Sequence, residues 1–248
     1  IVYWRELWIQ ISIVVLLILP VICLFTVKDI TIQSREKDDE GKKDETNLTK
    51  SWTRKEVLRD YKFYTILPCL LASPFVITGI VINQSFILES KNWGDYVLAK
   101  AFMSYSFFTV ITLFFSGFLV DRFTSRNLLI YLNLPMILSL IVLIFLDHSY
   151  SAFIFMGLLG VTNGIANVII SSLWAEIYGV NYLGSIKALT GSLMVFSTAF
   201  ATAVFGLLID YGYSIENIST FCLIYTVLST VIILVFRDLY KPIIINKT

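Results

Sequence analysis

Hydrophobic and polar positions along this chain do not alternate with the period of a strand or of a half-buried helix. They fall into seven long apolar blocks, roughly 7–27, 63–88, 97–120, 127–146, 151–175, 187–209 and 218–236. A helix rising 1.5 Å per residue needs about 20 residues to cross a hydrocarbon core about 30 Å thick. Each block reaches or nearly reaches that length, so the pattern predicts seven transmembrane helices in an all-α membrane protein. Composition agrees: 57% of residues are hydrophobic and 15% charged, against about 25% charged in an ordinary soluble domain.

The lysines and arginines give the expected orientation. Segments 28–62, 121–126, 176–187 and 237–248 hold sixteen of the nineteen; Arg5, Lys91 and Lys100 on the other side are the rest. The positive-inside rule puts the first set in the cytoplasm, with the C-terminus inside. The expected location is a plasma membrane, that of a bacterial inner membrane in particular. A net charge of +1 gives no reason to expect nucleic acid as a partner. The first block is too long for the core of a cleavable signal peptide and lacks a small-residue cleavage site. The chain opens on Ile1 rather than Met, and a fragment of a longer protein is expected.

Segment 28–62 is the one long polar stretch, with ten basic and nine acidic residues. Its centre, Ser34 through Glu45, has no large apolar side chain, and such a segment cannot bury enough surface to order itself. A flexible tether is predicted there. Its end, Ser51 to Tyr61, suits a short amphipathic helix at the membrane surface, with Ser51 as cap and Trp52 in the interface; a solvated extension of the tether is the alternative.

The sharpest motif closes the third block: Gly117-Phe-Leu-Val-Asp121-Arg122-Phe-Thr-Ser-Arg126. Gly117 would let another helix approach closely, Asp121 could face the positive end of a helix dipole, and Arg122 and Arg126 could pair with carboxylates at the cytoplasmic surface. The plainer reading is two arginines that fix topology. The spacing resembles the loop motif of the major facilitator superfamily, G-x-x-x-D-R-x-G-R-R, with Thr124 in place of its second glycine and Ser125 in place of its first paired arginine. Leu173-Trp-Ala-Glu-Ile-Tyr-Gly179, Leu183-Gly-Ser-Ile-Lys187, Leu193-Met-Val-Phe-Ser-Thr198, Gly206-Leu-Leu-Ile-Asp210 and 52–63, with Pro68 and Pro74 following, are similar to bacterial members distantly related to the monocarboxylate carriers.

The resemblance implies twelve helices in two halves. Residues 1–27 would then be a helix of a missing N-terminal half, 28–62 the cytoplasmic linker, and 63–248 the complete C-terminal six-helix half. It implies a secondary active or facilitative transporter of a small solute, an organic anion among the possibilities, working by alternating access in the bilayer. It also implies that Gly117, Asp121, Arg122, Arg126 and Glu176 act in gating, with Glu176 pairing Arg122 or Arg126.

Solute sites in transporters lie near the midplane. No block has an ionisable residue at its middle, so a proton relay is not expected here. Uncharged polar residues do cluster. Asn163, Asn167 and Ser171 form one stripe of a helix, and Gly157, Gly160 and Gly164 beside them allow close packing. This stripe is a cavity wall or a set of interhelical hydrogen bonds. Gln84 beyond Pro68, Pro74 and Gly79, together with Tyr105, Ser192 and Phe196, are the remaining solute-contact candidates; serine in a membrane helix often bonds its own backbone instead.

Other chemistry fails on inspection. Cys23, Cys69 and Cys222 sit inside apolar blocks and match no zinc spacing. His148 stands in a polar turn. No phosphate loop, nucleophile elbow or metal cluster is seen in the sequence, so neither an enzyme nor a cofactor or metal is expected. The rival is a seven-helix receptor, which Asp121-Arg122-Phe123 at the end of a third helix would fit. The last block has no proline for a receptor-like N-P-x-x-Y, and no cysteine opens the third.

Overall fold

The computed structural model describes residues 51–94 and 96–240, and in the N-terminal stretch residues 6, 9–10, 12–18 and 20. The chain divides into two compact units, Ile1–Leu48 and Thr49–Thr248. In the first, the described residues are helical and exposed; the rest of the first expected span and the tether centre lie outside the described residues.

The second unit is all helix among its described residues. Its elements are α1 (Arg54–Val57), α2 (Tyr61–Ile82), α3 (Gln84–Ser90), α4 (Val97–Phe123), α5 (Ser125–Leu128), α6 (Leu134–Phe145), α7 (Ser151–Tyr178), α8 (Leu183–Asp210) and α9 (Ile215–Val235). Short 3-10 turns cover Leu129–Tyr131 and Arg237–Tyr240. Six spans are long and apolar enough to cross a membrane, with 125–145 acting as one. They match the last six predicted blocks within a few residues. Two details differ. The second block is broken at Asn83, whose side-chain amide donates to the Gly79 carbonyl at 2.8 Å and ends α2. The cap of α1 is Thr53 rather than Ser51, with the Glu56 carboxylate accepting the Thr53 N–H at 2.7 Å.

α7 is the central helix, packed on α4 and α6, while α2 packs on α8 and α9, and α9 closes the bundle against α6. The α4–α7 contact is the tightest because α7 is glycine-rich on that face. A Cβ on Gly160 would collide with the Tyr105 carbonyl, and one on Gly164 would stand 2.8 Å from the Thr109 carbonyl. Thr109 uses the approach to donate to both Tyr105 O (2.8 Å) and Gly160 O (3.1 Å). With no hydrophobic drive between helices in lipid, such close packing and hydrogen bonding hold the bundle.

Pro68 and Pro74 stand inside α2, where each removes one backbone bond and crowds the preceding turn. Side chains from elsewhere in the unit bond nearby carbonyls of α2, other than the Tyr64 and Leu70 carbonyls that the prolines free. Tyr225 donates to Pro68 O at 2.9 Å, Asn133 to Cys69 O at 3.3 Å and Ser197 to Leu71 O at 3.2 Å. Asn133 is fully buried within an apolar span, a polar contact the hydropathy pattern conceals.

Two apolar clusters fill the unit, one toward each end. The loops sort accordingly. Trp52, Arg126, Glu176, Tyr178 and Tyr240 meet at one end; Lys91, Trp93, Asp147 and Glu216 meet at the other. Among the described residues, the first end carries the basic side chains of 54–62, Arg122 and Arg126.

Candidate functional site

The polar stripe of α7 lies along the α4–α7 seam. Asn163 is half-buried; Asn167 and Ser171 are exposed. The Asn167 amide donates to the Asn163 backbone carbonyl at 2.9 Å and stands 3.5 Å from the Asn163 side-chain oxygen. From α4, the Tyr105 hydroxyl lies beside the side chains of Asn163 and Thr109, close enough to interact with both. Three of the candidate residues are thus brought to one seam. Ser171 is turned back onto its own helix, donating to Val168 O at 2.8 Å.

The other candidates do not join them. Ser192 donates to Ala188 O at 2.6 Å within α8. Gln84 is half-buried at the start of α3 and makes no hydrogen bond among the described residues. Phe196 stacks along α8 with Phe200, ring centroids 6.5 Å apart. It lines an apolar cavity of about 290 Å³ with Phe75, Phe221 and Tyr225.

At the basic end, α4 stops at Phe123 and the chain turns sharply into α5 through Thr124, held at φ 64°, ψ 146°. Positive φ is an outlier for a β-branched residue, and this pair of angles borders a region only glycine populates freely. What holds it is Glu176 of α7. Its carboxylate accepts the Ser125 N–H at 2.7 Å and the Arg126 N–H at 3.3 Å, and lies 3.7 Å from the Arg126 guanidinium. The Ser125 and Ser172 hydroxyls hydrogen-bond beside it. An anion at the N-terminal N–H groups of α5 is favoured by their orientation. Arg126 also donates to the Tyr240 carbonyl at 3.2 Å. Tyr240 itself is buried, its hydroxyl on Thr65 Oγ1 at 3.2 Å; burial pushes its phenol up, partly opposed by that hydrogen bond.

Arg126, and not Arg122, is therefore the arginine that meets Glu176. Arg122 is exposed and lies 5.5 Å from the Phe123 ring centroid. Asp121 is exposed, with no ion pair or hydrogen bond among the described residues. A Cβ on Gly117 would meet nothing within 4 Å, so no described helix uses the close approach that glycine permits.

Sequence reasoning missed the opposite end. Lys91 is buried, its ammonium 2.6 Å from Asp147 and 2.9 Å from Glu216. Trp93 Nε1 donates to the Asp147 carbonyl at 2.8 Å. Burial pushes the Lys91 ammonium down, but the hydrogen bonds it donates to both carboxylates outweigh it and hold it above its ordinary value. Two loops and the first turn of α9, far apart in sequence, contribute, so no local signal could have found this clasp.

Residues 1–202 match the model of the Major Facilitator Superfamily. The chain belongs to that superfamily of membrane transporters, and the six apolar spans fit one half of its fold. The receptor reading is thereby set aside. A comparison with curated proteins finds no match.

Proposed function

We propose that this protein is a secondary active or facilitative transporter that carries a small organic solute by alternating access. In this reading the chain comprises 1–27, a helix of an N-terminal half, the linker 28–62 and the C-terminal half 63–248, in a plasma membrane. The Arg126–Glu176 end is cytoplasmic, and Asp121, Arg122, Arg126 and Glu176 belong to its gate.

The observation that carries the solute site is the seam of Tyr105, Asn163 and Asn167. It places one phenol and two amides, with spare hydrogen-bonding capacity, on a partly open surface between two membrane helices. Polar groups in hydrocarbon are expensive unless they serve a partner. The seam offers hydrogen bonds and no charge. An organic anion would find its counter-cation elsewhere in the protein, since Lys100 lies in the first turn of α4, at the end opposite Arg126. Gln84, Ser192 and Phe196 stand apart from this seam and take no part in it in this reading.

The test starts from the purified full chain, screened for thermal stabilisation by small carboxylates, amino acids, sugars and drugs, because a ligand of the folded state raises its stability. Asn163→Ala and Tyr105→Phe should each weaken apparent affinity for the stabilising solute by about tenfold, the value of one hydrogen bond of about 1.4 kcal/mol. Unchanged affinity in both variants would make the seam packing only. Orientation is tested separately: a cysteine at Asn92 should react with an impermeant reagent added to intact cells, and one at Asn127 should not.

A further inference from the structure

α8 and α9 follow one another in the chain and both pack on α2, yet they hardly touch each other. The gap between them is a groove. Its inner part is the cavity of about 290 Å³ floored by Phe75, and its outer part is a second cavity of about 520 Å³ that runs past Val204 and Leu208 to Asn217. Phe221 lines both. Phe75 forms the floor, its ring 6.2 Å from Phe200 on one wall and 5.8 Å from Tyr225 on the other.

The polar groups along this groove are distributed in one way only. In the inner part, Ser197 and Tyr225 spend their hydroxyls on the α2 carbonyls of Leu71 and Pro68. No free donor is left there for water or a polar solute. At the outer end, the Asn217 amide and the Tyr213 hydroxyl are exposed and make no hydrogen bond among the described residues. They stand where α8 ends at Asp210 and α9 begins at Ile215, the level of the membrane boundary. From Phe196 to Leu208 the groove extends about 18 Å at 1.5 Å per residue, close to one leaflet's share, about 15 Å, of the hydrocarbon. The occupant that matches is apolar along one leaflet and polar at the boundary.

We propose that this groove binds one phospholipid of the leaflet at the Tyr213 end. An acyl chain lies between α8 and α9 over Phe75, and Asn217 and Tyr213 take the glycerol-ester region. Hydrocarbon in the groove also replaces the contacts that a void would forfeit. The lipid then serves as packing between two helices that do not pack on each other.

The full chain, purified in detergent and incubated with palmitoyl-oleoyl phosphatidylcholine, is examined by native mass spectrometry. Wild type should retain one phospholipid through detergent exchange. Thr220→Trp and Val204→Trp, each of which fills the outer groove, should lower retention about tenfold, the effect of withdrawing roughly two methylene groups from contact. Leu234→Trp, exposed on α9 about 20 Å along the helix from Phe221 and lining neither cavity, should retain it. Thermal unfolding checks that each variant is folded; should one filling variant not fold, the other decides. No retained phospholipid in wild type, equal retention in a folded filling variant, or a retained amphiphile that is not a phospholipid would each overturn the proposal.

Discussion

Glu176 and Arg126 lie 3.7 Å apart, and the same carboxylate receives the Ser125 backbone N–H at 2.7 Å. The acid therefore does more than pair with an arginine: it caps α5 and fixes the turn that delivers Arg126. Hydrogen bonds to charged groups contribute about 1.5–3 kcal/mol; under the proposed gating role, where they form in one state only, losing the carboxylate should shift the balance between states by about tenfold or more. Glu176→Arg should impair transport in proteoliposomes at normal expression. Adding Arg126→Glu should recover part of it, while Arg122→Glu should not, because Arg122 does not reach Glu176. Recovery by Arg122→Glu instead would show that the pairing changes in the working state.

Thr124 carries the strain of the turn. Its φ of 64° holds a β-branched residue in a conformation that costs about 1–3 kcal/mol. Glycine adopts it freely but loses about 0.5–1 kcal/mol of chain entropy. Thr124→Gly should then stabilise the purified protein by about 1 kcal/mol, read as a rise in thermal midpoint. A fall would mean that the threonine side chain holds the turn in some other way.

The clasp at the other end predicts an order of damage. Lys91→Met leaves two carboxylates that are 78% and 41% exposed, so water re-solvates them and the loss should be about 1–2 kcal/mol. Replacing both Asp147 and Glu216 by alanine strands a buried cation and should cost about 3–5 kcal/mol. The Lys91 value is raised from 10.5. Its stabilisation is therefore fully present below pH 10.5 and lost as pH rises through the higher folded value. The difference in unfolding midpoint between wild type and Lys91→Met should stay constant from pH 7 to 10 and shrink beyond. A difference that closes below pH 9 would rule out a charged clasp.

Gly160 and Gly117 should respond in opposite ways. A methyl group on Gly160 meets the Tyr105 backbone, which cannot rotate aside, so Gly160→Ala should destabilise by about 1–3 kcal/mol and lower expression. At Gly117 nothing stands within 4 Å, and alanine gains up to about 1 kcal/mol in helix propensity. A transport defect in well-expressed Gly117→Ala would place a further helix against that face during the cycle.

The spans were legible in the sequence because hydrocarbon permits little else. A backbone without water must close its own hydrogen bonds, so runs of about 20 apolar residues become helices; all six in the second unit lie where the hydropathy blocks put them. The glycine face of α7 was legible too, since spacing on one helix fixes which residues share a side. Pairing between helices was not. Spacing left Glu176 free to meet Arg122 or Arg126, and only the turn at Thr124, which swings α5 beneath α7, selected Arg126. Lys91 read as a loop cation until folding brought Asp147 and Glu216 to it. Hydropathy gives no sign of the contacts Asn133 makes with Cys69 of α2 and Ser229 of α9. Hydropathy is a sum over neighbours in sequence and decides which segments enter the membrane. Hydrogen bonds and ion pairs act over about 3 Å, and their partners are set by how the helices cross.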